Sequence, residues 1–264
     1  MNAPVHREPS LYVLSVGISH YKDPSFNLKY ADVDALDFSM TLKKRGINLY
    51  KKVPVRTLMN QEATLTRISE EIEAIAQLAQ PQDVFVFYLA GHGRVLDGRY
   101  HFIPYDLIYE NEGSLKQALS EAKLKALIAS VETSKRMMVI DSCHAGQAIP
   151  ALAMLSTRGI EDKTAINRLM NATGITILAA ASKNQQAHEM VIDNTGHGLF
   201  THALLKGLKG AADSGNKDKQ IDVEELITYT REQVPALSLK YLQYEQFPMF
   251  QSPQQNFPIG ILAK

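Results

Sequence analysis

The sequence of 264 residues contains a single cysteine, Cys143. One thiol cannot form an intramolecular disulfide and cannot build a cysteine-rich zinc site. A chain of this length can bury a hydrophobic core without either kind of crosslink. The solitary thiol therefore needs an explanation of its own, and a thiol that stays reduced is typical of a cytosolic protein.

The sequence also lacks net charge and long apolar segments. Its 28 Lys and Arg residues equal its 28 Asp and Glu residues. A balanced chain is not drawn to nucleic acids or anionic membranes by a general electrostatic attraction. Its apolar runs are shorter than the roughly 20 residues that a membrane span needs, and residues 1–10 lack the apolar run of a secretory signal. We therefore expect no nucleic-acid partner, no membrane association and a cytoplasmic location.

Short β-rich segments alternate with amphipathic helical segments along the chain. The pattern predicts strands at 11–18, 49–58, 83–90, 136–140 and 175–180, and helices at 32–44, 65–80 and 115–131. Such alternation implies right-handed crossovers and a mostly parallel sheet between helical layers. The Asp97-Gly98 pair between two apolar segments predicts a small β-hairpin at the rim of the sheet. We predict one α/β domain over residues 11–264, preceded by a polar extension at 1–10.

Residues 147–171 interrupt this alternation. The stretch lies between two predicted core strands and is rich in Ala, Thr and charged residues. An irregular segment of more than about 20 residues is uncommon in a compact domain and usually has a function. We interpret it as a mobile loop.

Two predicted strands lead into motifs with reactive side chains. The strand at 83–90 leads into a Gly-His-Gly motif around His92, whose glycines allow a tight turn, and the strand at 136–140 leads into a motif around Cys143. Ligand sites form beyond the carboxyl ends of parallel strands, so both motifs face one crevice if their strands are neighbours. A thiol beside an imidazole is a nucleophile with its own base.

Each of these residues also has a structural explanation when it is considered alone. A lone cysteine is often a small buried hydrophobic residue, and His92 could be a turn histidine bonded to the backbone. Their joint placement at two strand ends favours the catalytic interpretation. His144 is an alternative base, although adjacent side chains in an extended segment point in opposite directions.

Seven segments in a fixed order carry a resemblance to a known family. They are YVLSVGISHY, LKYADVDA, FYLAGHG, YHFIPYD, MMVIDSCHAG, AAASKNQQAHE and GHGLFTHALLKGL. Together they resemble the caspase-like peptidase domain of bacteria, close to metacaspases and orthocaspases, over residues 11–230. His92 precedes Cys143 by 51 residues, and the corresponding separation in caspases is about 50. The Asp-Ser pair before Cys143 is the metacaspase-like form, where true caspases have Gln-Ala.

The resemblance implies a three-layer α/β/α sandwich with a mostly parallel central sheet of about six strands. It also implies a cysteine endopeptidase with Cys143 as nucleophile and His92 as general base and acid. The backbone N–H groups of Gly93 and Cys143 would form the oxyanion hole, which typically lowers the barrier by a few kcal/mol. No cofactor is required for this chemistry.

Two acidic residues are expected to select the substrate. Asp141 lies two residues before Cys143, and metacaspase-like relatives have a second acid at the position of Asp34. Two carboxylates in one pocket favour Arg or Lys before the scissile bond and repel Asp. The alternative for Asp34 is a solvated position in the first turn of a helix, and Asp32 replaces it if the alignment shifts. Relatives often have Ser where this chain has Ala90, so one polar contact of the pocket is expected to be missing.

Residues 213–226 are similar to a calcium-binding loop followed by a helix. Ligand positions would fall on Ser214, Asn216, Asp218 and Glu225. The first ligand has no charge, and Lys219 stands where the pattern needs Gly. We interpret the segment as the capped start of a helix and assign no metal site. Calcium activation, known in some metacaspases, would use other acids that the sequence does not locate.

The resemblance also bears on regulation. The segment that matches the loop at 147–171 is often cut during activation of related enzymes, and Arg158, Lys163 and Arg168 would suit a protease specific for basic residues. An uncut flexible loop is the alternative. Relatives act in bacterial cell-death, stress and antiviral pathways, in which a partner or second messenger activates the protease. No sensor domain is recognisable, so an activating protein partner, the loop or a domain outside this sequence is expected to regulate the enzyme.

The expected substrates are proteins or peptides with a basic residue before the cut. A catalytically silent caspase fold that serves as a scaffold or binding module is the alternative. A nucleotide-binding α/β domain is disfavoured, because no Gly-rich phosphate loop follows the first predicted strand.

Overall fold

The computed structural model describes residues 7–111, 114–144, 160–180, 189–192, 195–253 and 256–262. Its α-helices are α1 (Ala31–Gly46), α2 (Leu65–Leu78), α3 (Glu121–Ser130), α4 (Ile160–Thr173), α5 (Leu199–Lys206) and α6 (Val223–Leu242). Its strands are β1 (Leu11–Gly17), β2 (Val55–Met59), β3 (Val84–Leu96), β4 (Arg99–Phe102), β5 (Ile108–Asn111), β6 (Ser114–Lys116), β7 (Leu119–Ser120), β8 (Lys135–His144), β9 (Thr176–Ala179), β10 (Glu189–Ile192), β11 (Thr195–Gly198), β12 (Gln220–Asp222), β13 (Met249–Gln251) and β14 (Pro258–Ile261). No helix in these ranges is long and apolar enough to cross a membrane.

The central sheet has the strand order β13-β9-β8-β3-β1-β2. The five strands from β9 to β2 in this order run parallel, and β13 adds to the edge in the antiparallel direction. β4 folds back on the end of β3, and the short β7 pairs with β4. The prediction of a mostly parallel sheet of about six strands with a rim hairpin is therefore confirmed.

Helices cover both faces of this sheet. Successive side chains of a strand point to opposite faces, so each strand contributes side chains to both helical layers. Leu14 and Phe87 pack on one face against α2, α3 and α4, whereas Val13 and Val86 pack on the other against α1, α5 and α6. We call these the α2 face and the α1 face. Both are apolar, which explains why β1 and β3 read as continuous apolar runs.

β3 and β8 extend beyond the ends that the apolar runs predicted. β3 continues to Leu96 and β8 to His144. The extension arises because β4 provides β3 with a new partner, with Gly93 opposite Phe102. The hairpin turns at Asp97 and Gly98, which have φ of 49° and 69°. Positive φ at both turn residues is typical of a two-residue hairpin and confirms that prediction.

Two other element predictions were wrong at their boundaries. The helix predicted at 115–131 begins only at Glu121, because the Ser120 Oγ accepts a hydrogen bond from the Lys123 N–H and caps it there. The residues before it form β6 and β7. The strand predicted at 49–58 is confined to Val55–Met59.

The prediction of an irregular loop at 147–171 was wrong for its second half. Residues 160–171 belong to α4, and the apolar stripe of Ala165 and Leu169 packs on the α2 face. Charged residues between the apolar positions hid this stripe in the sequence. Residues 147–159 lie outside the described residues, and so does the proposed cleavage site Arg158.

The segment that is similar to a calcium loop leads into α6. Asp222 and Glu225 form a reciprocal capping box, in which each side chain accepts a hydrogen bond from the backbone N–H of the other. The interpretation as a capped helix start is therefore confirmed. Within the described ranges, no three His, Cys, Asp or Glu residues are grouped so that they could hold a metal ion.

Candidate active site

His92 and Cys143 are direct neighbours across two parallel strands. In the register of β3 and β8, His92 is the Cα partner of Cys143, and Ala90 is the partner of Asp141. Adjacent strands lie roughly 4.8 Å apart. The two motifs thus meet at one edge of the sheet, as their positions after neighbouring strands predicted. The side chains of Cys143 and His144 lie outside the described part of the structure, so their roles remain predictions.

The imidazole of His92 is buried and firmly oriented. Its Nε2 lies 2.8 Å from the carbonyl oxygen of Phe26, and its backbone N–H donates to the Tyr21 Oη at 2.8 Å. The rings of Tyr21 and Phe26 lie 5.2 and 6.0 Å from the imidazole, measured between centroids. A carbonyl oxygen can only accept, so Nε2 carries a proton, and the basic nitrogen of the neutral ring is Nδ1.

Gly91 turns His92 towards this aromatic group. Ala90 packs on the α1 face, and regular alternation would point His92 to the same face. Tyr21 and Phe26, however, belong to the α2 face. Gly91 has φ of +149°, and a Cβ there would lie 2.7 Å from the Tyr21 Oη. The backbone conformation of Gly91 and its close contact with Tyr21 therefore both require glycine. The tight turn that was predicted here is instead an irregular part of strand β3.

Replacing Gly91 with Ala should destabilise the fold by about 2 kcal/mol, because the new Cβ meets both an unfavourable φ and the Tyr21 hydroxyl. The measurement is the urea midpoint at constant m-value. Gly215→Ala is the matched control, since a Cβ at Gly215 would meet no atom within 4 Å. Equal midpoints for the two variants would contradict this account of Gly91.

The second glycine of the motif lies between two strands. Gly93 is the Cα partner of Phe102 on β4 and of His144 on β8. A Cβ at this position would lie 2.8 Å from the Ser142 Oγ and 2.8 Å from the Tyr100 ring. The absence of a side chain thus allows β4 and β8 to pack closely. The oxyanion role of the Gly93 and Cys143 N–H groups remains a prediction.

The carboxylates of Asp34 and Asp141 converge on Gly198. A Cβ at Gly198 would lie 2.9 Å from one Asp141 oxygen and 3.0 Å from one Asp34 oxygen. The Gly198 N–H donates to Asp34 at 2.9 Å, and the Thr201 hydroxyl donates to Asp141 at 2.5 Å. Both acids are buried, with 3% and 6% of their surface exposed. The structure therefore brings together the two acids that the sequence analysis paired.

Asp32 takes a different direction from Asp34. One of its carboxylate oxygens accepts from the Ser19 hydroxyl at 2.6 Å, and the other accepts from the Asn60 amide at 2.9 Å. Residues two apart lie on different sides of a helix, so only one of these acids can reach Asp141. That residue is Asp34, and Asp32 instead ties the start of α1 to the loop after β1.

His197, which no sequence pattern indicated, contacts Asp34 of the acid pair. Its Nδ1 lies 2.7 Å from Asp34, and its Nε2 lies 3.5 Å from Asp37. His197 lies on β11, and the ring of Tyr30 packs against the neighbouring Gly196. His197 therefore occupies one carboxylate oxygen of Asp34 on the side of β11. The GHGLFTHALLKGL segment contains His197, but its spacing does not reveal the partner on α1.

A polar partner of Asp141 comes from α5. Ala90 is the Cα partner of Asp141 and offers no polar group. Thr201 donates to Asp141 instead, and the Tyr88 hydroxyl lies 2.6 Å from the Thr201 Oγ1. Because the Thr201 proton points to Asp141, its oxygen accepts from Tyr88. A chain of two hydroxyl groups, one from the sheet and one from α5, therefore leads to the Asp141 carboxylate.

Comparison with known proteins identifies the family. The sequence matches the caspase domain, Peptidase_C14, over residues 11–258. The chain belongs to the caspase domain family. No curated protein matches its sequence.

Two solved structures resemble this caspase domain. The crystal structure of protein GSU0716 from Geobacter sulfurreducens has a TM-score of 0.61 at 17% identity, with 97% of this chain and 100% of that chain covered. The structure of pro-sf-caspase-1 has a TM-score of 0.51 at 16% identity, with 98% of this chain and 95% of that chain covered. At such identities the similarity shows the fold alone. The caspase-like fold implied by the sequence motifs is confirmed.

In this caspase domain, burial raises the pKa of Asp34 from its usual 3.8 to about 7. The hydrogen bonds from His197 and Gly198 oppose this rise, and the nearby Asp141 adds to it. A buried carboxylate loses hydration, and a second carboxylate repels its charge. Asp34 therefore changes its ionisation near neutral pH.

Titration of Asp34 should make the caspase domain less stable as the pH rises from about 4 to about 7. Its pKa is about 7 in the folded chain and near 3.8 in the unfolded chain, so the folded chain binds the additional proton in this range. Asp34→Asn removes this titration. Relative to wild type, the variant should gain up to about 4 kcal/mol of unfolding free energy between pH 4 and 8.

The measurement is urea unfolding of both proteins at several pH values. Asp37→Asn is the matched control, because Asp37 lies on the same helix with a half-exposed carboxylate. This control keeps Asp34 and should therefore keep the loss of stability that the titration of Asp34 causes. Parallel curves for Asp34→Asn and wild type would show that burial of Asp34 does not have this effect.

Proposed function

We propose that this caspase domain is a cysteine endopeptidase with Cys143 as nucleophile and His92 as general base and acid. The observation that carries the proposal is the strand register, in which His92 is the Cα partner of Cys143. The Phe26 carbonyl supports it, because its hydrogen bond with Nε2 assigns Nδ1 as the basic nitrogen. During the reaction His92 becomes an imidazolium with a proton on each ring nitrogen, and the same carbonyl stabilises this cation.

The reaction proceeds through a thioester. His92 takes the thiol proton, the Cys143 Sγ bonds to the substrate carbonyl carbon, and the carbon–nitrogen bond breaks as His92 gives its proton to the departing amine. Water then attacks the thioester carbon. His92 accepts a proton from this water and returns it to the sulfur as the carboxylic acid product leaves. The N–H groups of Gly93 and Cys143 would stabilise the oxyanion in both steps.

We propose further that the enzyme cuts after Arg or Lys. The support is the convergence of Asp34 and Asp141 within about 3 Å of one point at Gly198. Arg offers a planar set of donors that can bond two carboxylates at once. Its guanidinium would take over the contact that His197 makes with Asp34 in the present structure. The same site would reject Asp, because a third carboxylate would meet two others.

The regulation of the enzyme is also a proposal. An activating partner, self-cleavage or a ligand would displace β11 and open the acid pair, and the pathway would be bacterial cell death or antiviral defence. Lys163 and Arg168 lie within α4, and Arg168 approaches Glu121 at 3.8 Å. Cleavage at these two positions would therefore require α4 to unwind, because proteases bind extended chains.

Four peptides that differ only before the cut test this function. Arg, Lys, citrulline and Asp peptides are assayed with and without calcium, and Cys143→Ala is the negative control. Citrulline has the shape of Arg without its charge. We expect cleavage of the Arg and Lys peptides and little cleavage of the other two. Cleavage of none would favour the scaffold alternative, and preference for Asp would refute the acidic pocket while leaving the dyad intact.

A further inference from the structure

A pocket of about 380 Å³ lies beside His92 on the α2 face. Its floor is formed by the buried residues Tyr21, Phe26 and Ile103, and its rim includes Tyr105 and Leu107. We call it the Tyr21 pocket. Ligand pockets have volumes of roughly 300–1,000 Å³. The Tyr21 pocket is at the small end of this range, which suits one or two side chains.

The three floor residues of the Tyr21 pocket all contact His92. The Tyr21 hydroxyl accepts from the His92 N–H, the Phe26 carbonyl accepts from Nε2, and the Ile103 N–H donates to the His92 carbonyl at 2.9 Å. The floor of the pocket is therefore formed by residues that contact the candidate base directly.

The Tyr21 pocket and the acid pair lie on opposite sides of the proposed dyad. In the sheet, β3 with His92 lies between β8 with Cys143 and β1, whose following loop carries Tyr21. Asp34 lies on α1, at the α1 face, whereas Tyr21 and Ile103 belong to the α2 face. A substrate that places its basic residue at the acid pair must cross the dyad to reach the Tyr21 pocket.

We propose that the Tyr21 pocket binds an apolar or aromatic side chain of the substrate on the leaving-group side of the scissile bond. This inference rests on the proposed function. The acyl part of the substrate stays on Cys143, whereas the departing amine receives its proton from His92. The leaving segment therefore runs past His92, in the direction of Tyr21.

The lining of the Tyr21 pocket selects the chemical class of the occupant. Tyr21, Phe26 and Ile103 provide an aromatic and aliphatic floor, and Leu107 extends it. Charges occur only at the rim among the lining residues, where the exposed Lys22 and Asp23 offset each other. Burial of an apolar side chain is favourable in such a site, whereas a charged one would lose hydration without a partner.

The test uses peptides with Arg before the cut and Phe, Leu, Gly or Glu in the first two positions after it. Wild type should cleave the Phe and Leu peptides with kcat/KM about 10- to 100-fold above the Gly peptide. Cys143→Ala, which cannot form the thioester, should bind the uncut Phe peptide more tightly than the Gly peptide by a similar factor.

The variant Leu107→Lys provides a second measurement, the preference among the four peptides. This preference would not change if Leu107 only supported the fold. The variant should lower the Phe-to-Gly ratio by about tenfold and raise the Glu-to-Gly ratio, because the new ammonium attracts an acid. Leu78→Lys, at an exposed leucine on α2, is the matched control and should change neither ratio.

Cleavage of all four peptides with equal kcat/KM overturns the inference and leaves the proposed function standing. Cleavage of no peptide overturns the proposed function, and the binding preference of Cys143→Ala then decides on the pocket. Unchanged ratios in Leu107→Lys would also overturn the inference.

Discussion

Replacing Cys143 with Ala, or His92 with Ala, should each reduce kcat/KM for an Arg peptide by about 10⁴-fold or more. The first variant removes the atom that bonds to the substrate, and the second removes the group that moves the proton. The two losses should not add in the double variant, because both residues serve the same step. Initial rates with a fluorogenic Arg peptide provide the measurement, and circular dichroism verifies the fold.

Two histidine variants provide matched controls for His92. His101→Ala removes an imidazole on β4 that contacts the Arg99 carbonyl, outside the proposed dyad. His144→Ala removes the alternative base that the sequence left open. Both should retain activity within about tenfold of wild type. Loss of activity in His144→Ala, with retention in His92→Ala, would reverse the assignment of the base.

Asp141→Asn should lower the preference for an Arg peptide over its citrulline analogue by about 100-fold, since removal of one partner of a buried, hydrogen-bonded charge pair typically costs roughly 2–5 kcal/mol. Asn keeps an oxygen that can accept from Thr201, so the local fold should persist. Asp34→Asn should act in the same direction, although it also changes the contacts of His197 and Gly198.

The measured quantity in this experiment is the ratio of kcat/KM for the two peptides. The ratio cancels effects on the dyad, because both peptides share the same scissile bond. Asp37→Asn is the control. The half-exposed Asp37 carboxylate lies 3.5 Å from His197, as a neighbour of the site that is not one of the paired acids. An unchanged ratio in Asp141→Asn would mean that the acid pair does not bind the positive charge of the substrate.

The ratio also depends on pH if Asp34 binds the substrate cation. The carboxylate attracts Arg only when it is ionised, and its pKa is raised to about 7 by burial. The preference for Arg over citrulline should therefore increase as the pH rises through neutrality. Loss of the His197 hydrogen bond, which lowers this pKa, would move the increase to higher pH.

Much of the fold could be predicted from local sequence patterns. The apolar runs of β1 and β3 and the helical spacing in α2 depend on side chains a few residues apart, which the sequence displays directly. The hairpin at Asp97 and Gly98 has an equally local cause. By contrast, α4 was missed because its apolar stripe is short and surrounded by charged residues, so only packing on the α2 face makes it clear.

The candidate site divides in the same way. Residue types and motif resemblance indicated His92, Cys143, Asp34 and Asp141 before any contact was known. The hydrogen bond from His92 to Phe26 uses a backbone carbonyl, which any residue could provide, so no residue type signals it. The choice of Asp34 over Asp32 required the direction of α1, which the sequence left open.

The solitary Cys143 and its proposed role as nucleophile were apparent from the sequence alone, as were the caspase family and the layers of the fold. Only the tertiary structure decided that His197 lies on Asp34, 163 residues away in the chain, and that Gly91 turns His92 towards the Tyr21 pocket. The physical reason is the distance along the chain over which each kind of interaction acts. Periodicity and propensity act over a few residues, whereas contacts between distant segments depend on how helices and strands pack, which no local pattern records.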